Sequence, residues 1–160
     1  MPGHTLVLLR HAKSDWSGDE PDHERPLAPR GRRQAPESGT WLAAHLDPID
    51  LAVVSQAERA RRTWTLASAA LPVTPQTRLD DRVYGASGPA LLGIVRDLPE
   101  RVRSVVLVGH NPGLEDLAST LAGSWVEMPT SALAVFDVSG TWAETATATV
   151  ELTASGRPPT

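Results

Sequence analysis

Two histidines and two arginines stand just after segments whose apolar residues predict buried strands. Arg10 and His11 follow the first segment, Arg59 lies soon after the second, and His110 follows the third. An imidazole can act as a nucleophile or a hydrogen-bond donor near neutral pH, and a guanidinium binds a phosphate through two parallel hydrogen bonds. These residue types in equivalent places predict an active site that handles an anion.

The elements that must position these side chains are visible in the hydrophobic pattern. Short, wholly apolar segments are typical of strands buried on both faces of a parallel sheet, and they occur at residues 6–9, 51–54 and 105–108. Helical spacing predicts helices over residues 31–46, 57–71, 89–98 and 114–121. Ser55 and Glu58 have the spacing of a capping box at the start of the second helix. Because ligands of open α/β sheets bind beyond the carboxyl ends of the strands, the four side chains are expected at one edge.

Strands alternating with helices predict an α/β fold in three layers, a mostly parallel central sheet flanked by helices. Near the end of the chain, residues 132–138 and 145–152 have β character and are separated by the turn signal Ser139-Gly140. They predict a C-terminal β-hairpin, so the sheet is expected to be mixed. A length of 160 residues fits a single domain, expected over residues 1–152, with a frayed tail over residues 153–160.

The composition excludes several classes of protein and of site. A formal net charge of −4 argues against a nucleic-acid or anionic-membrane binder, because both partners require a basic surface. The chain contains no cysteine, which excludes disulfides, thiolate metal sites and cysteine nucleophiles. The first residues lack the pattern of a signal peptide, and no apolar stretch approaches the roughly 20 residues that span a bilayer. A cytoplasmic enzyme is therefore expected.

Five blocks of sequence resemble one family in the same order along the chain. They are residues 8–14, 25–31, 55–63, 109–113 and 129–132. The triplet Arg10-His11-Ala12 is similar to the Arg-His-Gly signature of the histidine phosphatase (phosphoglycerate mutase-like) superfamily. Alanine at its third position resembles the SixA-like phosphohistidine phosphatase branch and disfavours the mutases. The resemblance implies a phosphoglycerate mutase-like fold and a phosphatase that works through a covalent phosphohistidine intermediate.

The resemblance also implies roles for individual side chains. His11 would attack the phosphorus in line and would then be freed by water. Its attacking nitrogen must be uncharged, so a hydrogen bond to the other ring nitrogen is expected. Arg10, Arg59 and His110 would surround the phosphoryl oxygens. Further substrate contacts are expected from Lys13, Asn111, Thr130 and Ser131. Asn111 is also expected to cap the helix that starts after it. Independently of the resemblance, Trp16 and Trp125 flank the proposed site in the sequence and are candidates to control access to it.

The leaving group determines which substrate the sequence favours. Larger relatives protonate it with an acidic side chain, and in the corresponding region this chain has only Asp80 and Asp81 as possible general acids. Losing such an acid typically costs about 10²–10⁴ in rate for an alkoxide leaving group, whereas an imidazole leaves far more readily. A phosphohistidine on a protein is therefore the favoured substrate. A small phosphate ester, hydrolysed by the same superfamily mechanism, is the alternative.

Other classes of function fit the residues less well. A zinc hydrolase would need ligands around His11 and His110, but the neighbouring arginines repel a dication and no metal-ligand spacing appears. No metal and no cofactor are therefore expected. A non-catalytic module that binds phosphoproteins stays open, although binding alone does not require an intact nucleophile. The chain is short for a phosphoglycerate-type mutase, so that activity is disfavoured. The protein is expected to be a monomer.

Overall fold

The computed structural model describes residues 3–158, and a six-stranded sheet forms the centre of this part of the chain. The strands are β1 (His4–Arg10), β2 (Leu51–Val54), β3 (Gln76–Leu79), β4 (Ser104–Gly109), β5 (Leu133–Val138) and β6 (Val150–Gly156). Their order across the sheet is β3-β2-β4-β1-β5-β6. The first four are parallel, β5 is antiparallel to β1, and β6 is antiparallel to β5. The sheet is therefore mixed, as the sequence predicted.

Four helices cover the two faces of the sheet. They are α1 (Pro29–His45), α2 (Glu58–Ser68), α3 (Gly88–Arg96) and α4 (Gly113–Ala122). Helices α1 and α2 pack on one face through Leu42 and Trp64, whereas α3 and α4 pack on the other through Leu91 and Leu117. This arrangement confirms the three-layer α/β fold, and each predicted helix lies within a few residues of its observed bounds.

Strand β1 shows why the wholly apolar segments were informative. Leu6 and Leu8 point into the core beneath α3 and α4, whereas Val7 and Leu9 point into the core beneath α1 and α2. All four side chains are fully buried. A strand covered by helices on both faces needs apolar residues at every position, so alternation disappears. The central position of β1 places the residues that follow it in the middle of the sheet edge.

The end of the chain differs from the prediction in two ways. Strands β5 and β6 do pair as antiparallel neighbours, but residues 139–149 connect them instead of a tight Ser139-Gly140 turn. This connection turns inward because Trp142 is fully buried and donates from its indole nitrogen to the Val102 carbonyl oxygen at 2.8 Å. Strand β6 continues to Gly156, so the predicted tail is wrong for residues 153–156, which belong to the sheet. Residues 159–160 of that tail lie outside the described residues.

Two local features were missed or misassigned. Strand β3 is an edge strand whose side chains are mostly exposed, so its sequence carries no hydrophobic signal. The predicted capping box is wrong, because α2 begins at Glu58 after Ala57 and has no side-chain cap. Ser55 instead accepts a hydrogen bond from the Ala57 backbone at 3.2 Å and turns its hydroxyl towards the neighbouring strand.

No helix within residues 3–158 combines the length and the apolar character that crossing a membrane would require.

Candidate active site

A pocket of about 260 Å³ opens at the carboxyl ends of the central parallel strands. The structure brings both predicted histidines and both predicted arginines to this one pocket. Its lining residues are Arg10, His11, Lys13, Ser14, Trp16, Asp22, Arg25, Arg59, His110, Asn111 and Thr130. Parallel strands that end at the same edge therefore collect side chains that are far apart in sequence, as the sheet topology requires.

The imidazole of His11 is held in one tautomer. Its Nδ1 donates to the carbonyl oxygen of Ala12 at 2.8 Å, and since a carbonyl can only accept, Nδ1 carries the proton and Nε2 has a free lone pair. The residue is only 7% exposed. Burial is the main cause that lowers the pKa of His11 to about 3. The hydrogen bond to Ala12 acts to raise this pKa, whereas His110, Arg59 and Arg10 act to lower it. The ring is therefore uncharged at neutral pH.

The backbone around His11 is fixed from three sides. The His11 amide donates to the Gly109 carbonyl oxygen at 3.1 Å, and the Ser131 amide donates to the His11 carbonyl oxygen at 3.0 Å. The amide of Ala12 donates to the Thr63 hydroxyl at 2.9 Å. Thr63 lies inside one of the five blocks of resemblance, but this role was not predicted from the sequence. These bonds connect the residue after β1 to β4, to α2 and to the segment before β5.

The two hydroxyl residues predicted to touch substrate have different positions. Thr130 lines the pocket. Ser131 is fully buried, does not line the pocket, and its hydroxyl pairs with the Ser38 hydroxyl at 2.7 Å. Its backbone has φ of 63°, which lies in the left-handed region. The predicted substrate contact of Ser131 is therefore wrong, and this residue supports the backbone of His11.

His110 lies beside His11, with ring centroids 5.1 Å apart. Its Nε2 pairs with the Ser55 hydroxyl at 2.7 Å. Among the described residues the hydrogen of the Ser55 hydroxyl has no acceptor other than Nε2, so the hydroxyl donates to Nε2 and the imidazole proton lies on Nδ1. Burial and the charge of Arg59 lower the pKa of His110 to about 4, against an opposing contribution from Asp22. His110 is thus a neutral hydrogen-bond donor at neutral pH.

Asp22 organises the cationic side of the pocket and was missed in the sequence. Arg59 donates to the Asp22 carbonyl oxygen at 2.7 Å and to its Oδ2 at 3.0 Å, and Arg25 donates to its Oδ1 at 3.1 Å. The Tyr84 hydroxyl donates to the same carboxylate. Together these donors, Tyr84 foremost, hold the pKa of Asp22 far below its usual range. The only sequence signal was its place in the long polar segment before the block that begins at Arg25.

Arg10 and Asn111 share one backbone acceptor on the opposite side of the pocket. Arg10 donates to the Met128 carbonyl oxygen at 3.2 Å, and the Asn111 amide nitrogen donates to the same oxygen at 2.9 Å. Asn111 therefore does not cap α4, which begins at Gly113 without a side-chain cap. The capping prediction is wrong because the Asn111 side chain binds the backbone of the segment before β5 instead.

Four buried polar atoms in the described side chains have no hydrogen-bond partner, and all four belong to residues that line this pocket. They are Nε of Arg10, Nε of Arg59, Nδ1 of His110 and Oδ1 of Asn111. Leaving a buried polar group unpaired costs about 1–3 kcal/mol, so such groups are rare unless a ligand satisfies them. Three of the four are donors, and two of these carry full positive charge. The pocket is built to receive an oxyanion.

The two predicted general acids lie elsewhere. The Asp80 carboxylate accepts hydrogen bonds from three atoms of Arg82, its backbone nitrogen, Nε and Nη2. These bonds hold the pKa of Asp80 below its usual value. Asp81 is exposed, and neither residue lines the pocket. Among the pocket-lining residues of the described chain, Asp22 is the one carboxylate, and it is ionised. The pocket thus presents no protonated carboxyl group.

The rim of the pocket carries the remaining predicted residues. Lys13 is exposed and lines the opening. Trp16 also lines it and is 70% exposed, whereas Trp125 is 68% exposed but does not contribute to the pocket. No group of three or more His, Asp or Glu side chains within residues 3–158 could hold a metal ion.

Comparisons with known proteins agree with this geometry. A model of the histidine phosphatase superfamily (branch 1) matches residues 6–117. An uncharacterized protein of Mycobacterium tuberculosis is 35% identical over 147 residues, which cover 85% of this chain and 90% of that protein.

Solved structures extend the similarity to almost the whole chain. The "Putative Phosphohistidine Phosphatase SixA" of Nakamurella multipartitia is 30% identical with a TM-score of 0.86, covering 98% of this chain and 96% of that one. Its counterpart from Agrobacterium tumefaciens is 32% identical with a TM-score of 0.78, covering 86% and 93%. The chain therefore belongs to the histidine phosphatase superfamily, where it is a phosphatase of the SixA-like branch with the phosphoglycerate mutase-like fold.

Proposed function

We propose that this phosphatase removes phosphoryl groups from phosphohistidine on proteins, with His11 as the nucleophile. The observation that carries the proposal is the set of unpaired buried donors on the residues that line the pocket together with His11. A phosphoryl group would bind to Arg10, Arg59 and His110 through its oxygens. Its phosphorus would then be presented to Nε2 of His11.

The charge state of His11 supports a nucleophilic role. An imidazole attacks only through an unprotonated nitrogen, and a pKa of about 3 keeps Nε2 available at any physiological pH. The bond from Nδ1 to the Ala12 carbonyl oxygen can also stabilise the positive charge that develops on the ring during attack. His11 therefore needs no separate base to activate it.

The reaction would proceed in two displacements. In the first, a bond forms between Nε2 of His11 and phosphorus while the bond from phosphorus to the substrate nitrogen breaks. The electron pair of that bond leaves with the substrate imidazole. In the second, water attacks the phosphorus while the bond from phosphorus to Nε2 breaks and its electron pair returns to His11. The proton lost by the water leaves with the released phosphate. The arginines offset the charge on the transferring oxygens throughout.

The choice of substrate follows from the acid chemistry of the pocket. A phosphorylated imidazole that carries a proton on its second nitrogen departs as a neutral group, so it needs no acid from the enzyme. An alkyl phosphate departs as an alkoxide and does need one. Asp22, the carboxylate of the pocket, is held ionised and is poorly suited to give a proton. Two solved relatives, each named a "putative phosphohistidine phosphatase SixA", support the same substrate class.

We expect the phosphohistidine to be carried by a partner protein, because Lys13 and Trp16 at the rim of the pocket are exposed and can contact a protein surface. The proposal includes a monomeric enzyme, as expected from the sequence. No metal or cofactor enters the proposed steps. Action in the cytoplasm stays a prediction from the sequence.

Trapping the intermediate tests the proposal. Wild-type protein mixed with a ³²P-labelled protein phosphorylated on histidine and quenched in alkali should carry acid-labile label at His11. The variant His11→Ala should carry none and should lose turnover, whereas His45→Ala, which alters an exposed histidine at the end of α1, should behave as wild type. Label on another residue, or faster hydrolysis of a sugar phosphate than of phosphohistidine, would contradict the proposal and favour a small-molecule phosphomonoesterase.

A further inference from the structure

Trp16 is the most exposed large apolar residue at the pocket and has no role in the steps described above. It lines the opening, yet 70% of its surface is exposed. Exposing a large aromatic side chain forfeits the free energy that its burial would supply, so an indole in this position at a ligand pocket suggests a contact surface.

One face of the Trp16 indole is already fixed. The guanidinium carbon of Arg25 lies 3.5 Å from the ring centroid, within the range of a cation–π contact. Arg25 is itself immobilised, because it donates to the Asp22 carboxylate at 3.1 Å and to the Ser14 hydroxyl at 2.6 Å. Only 6% of Arg25 is exposed. The indole therefore stands on a rigid support that is part of the phosphate-binding side of the pocket.

The exposure of Trp16 leaves the opposite face of its ring open. A flat aromatic group that enters the pocket mouth can stack on this face with little loss of side-chain entropy, because the support holds the indole in place. Of the candidate leaving groups, the imidazole of phosphohistidine is flat and aromatic, whereas the leaving groups of sugar phosphates are not.

We propose that Trp16 is a stacking platform for the imidazole ring of the phosphohistidine substrate. This inference rests on the proposed function and adds a residue that selects the leaving group. A favourable aromatic pair contributes an amount equivalent to about two- to tenfold in binding. The platform acts before and during phosphoryl transfer, so it lowers KM for ring-bearing substrates in particular.

Two substrates with the same scissile bond separate stacking from phosphate binding. Phosphohistidine and phosphoramidate both contain a bond between phosphorus and nitrogen, but only phosphohistidine has a ring on the leaving side. The variants are Trp16→Ala, Trp16→Phe and, as a matched control, Trp125→Ala, which removes an equally exposed tryptophan outside the pocket.

Steady-state kinetics on phosphohistidine and phosphoramidate then test the platform. Trp16→Ala should lower kcat/KM for phosphohistidine by about two- to tenfold, mainly through KM, and should change phosphoramidate hydrolysis by less than twofold. Trp16→Phe should recover most of the loss, and Trp125→Ala should match wild type on both substrates.

Three results would overturn the inference. If Trp16→Ala slows both substrates equally, Trp16 acts only by holding Arg25, and there is no platform. If it slows neither while wild type hydrolyses phosphohistidine, the platform is wrong and the proposed function stands. If wild type itself fails to hydrolyse phosphohistidine, the proposed function is wrong and the platform with it.

Discussion

Lowering the pH from 8 to 5 should destabilise this fold through its two pocket histidines. Both have a depressed pKa in the folded chain, about 3 for His11 and about 4 for His110, against an ordinary value of 6.5. Between those values and 6.5 the unfolded chain binds protons that the folded chain does not. Stability must therefore fall as the pH drops, and it is fully retained only above about pH 6.5.

The expected size of the loss follows from these values. A pH of 5 lies about 1.5 units below the pKa of an ordinary imidazole. Each unit favours the protonated, unfolded chain by about 1.36 kcal/mol. His11 and His110 stay mostly unprotonated when folded, so each contributes about 2 kcal/mol of destabilisation, or about 4 kcal/mol together. Asp22 and Asp80, whose pKa values are also lowered, matter only at more acidic pH because an unfolded aspartate titrates near 3.8.

Urea unfolding at pH 8 and pH 5 measures this loss directly. His11→Asn keeps a donor near the Nδ1 position, and His110→Gln keeps an amide near the Nε2 position, so both variants preserve a polar contact while removing the titration. Each single variant should lose about 2 kcal/mol less than wild type between the two pH values, and the double variant about 4 kcal/mol less. All other ionisable groups are common to the four proteins and cancel. Equal losses in wild type and double variant would refute the claim that burial keeps these imidazoles uncharged.

Two further substitutions test individual contacts. Ser55→Ala removes the hydroxyl that pairs with Nε2 of His110 and leaves a buried nitrogen unpaired, so it should lower the free energy of unfolding by about 1–3 kcal/mol and kcat/KM by about tenfold; a variant that melts and turns over as wild type would contradict a stabilising hydrogen bond between Ser55 and His110. Asp80→Asn should leave kcat on phosphohistidine within about twofold of wild type, because its carboxylate is bound to Arg82 outside the pocket; a fall of a hundredfold or more would restore it as a general acid.

The central sheet could be predicted because burial on both faces leaves a strong signal. Residues 6–9 of β1 are apolar at every position, and the same holds for β2, so each strand and the residues that follow it were found correctly. Strand β3 could not be found, because an edge strand with exposed side chains needs no apolar pattern. The burial of Trp142 could not be predicted either, since the residues around it do not indicate that its indole, in the connection between β5 and β6, packs in the core.

The pocket was predictable in its centre and not at its edges. His11 and His110 follow buried strands, so topology alone places them together. Asp22 begins a single 3-10 turn (Asp22–Glu24) in the polar segment between β1 and α1, and its bonds to Arg59 and Tyr84 join residues 37 and 62 positions away. Ser131 was misplaced for the related reason that its hydroxyl pairs with Ser38, which is 93 positions away in the sequence. Sequence spacing predicts contacts within an element, whereas the contacts of Asp22 and Ser131 depend on how loops close over the sheet.

Asp22 connects the electrostatics of the pocket to the choice of substrate. Three arginines that line so small a space repel one another, and a carboxylate among them offsets this repulsion while fixing Arg59 and Arg25 before any substrate binds. The bonds that make Asp22 a good support also lower its pKa, so the same residue is a poor proton donor. Asp22 therefore cannot both hold these arginines in place and act as a general acid. An enzyme built in this way works best on a substrate that brings its own proton to the leaving nitrogen, and a protonated phosphohistidine has that property.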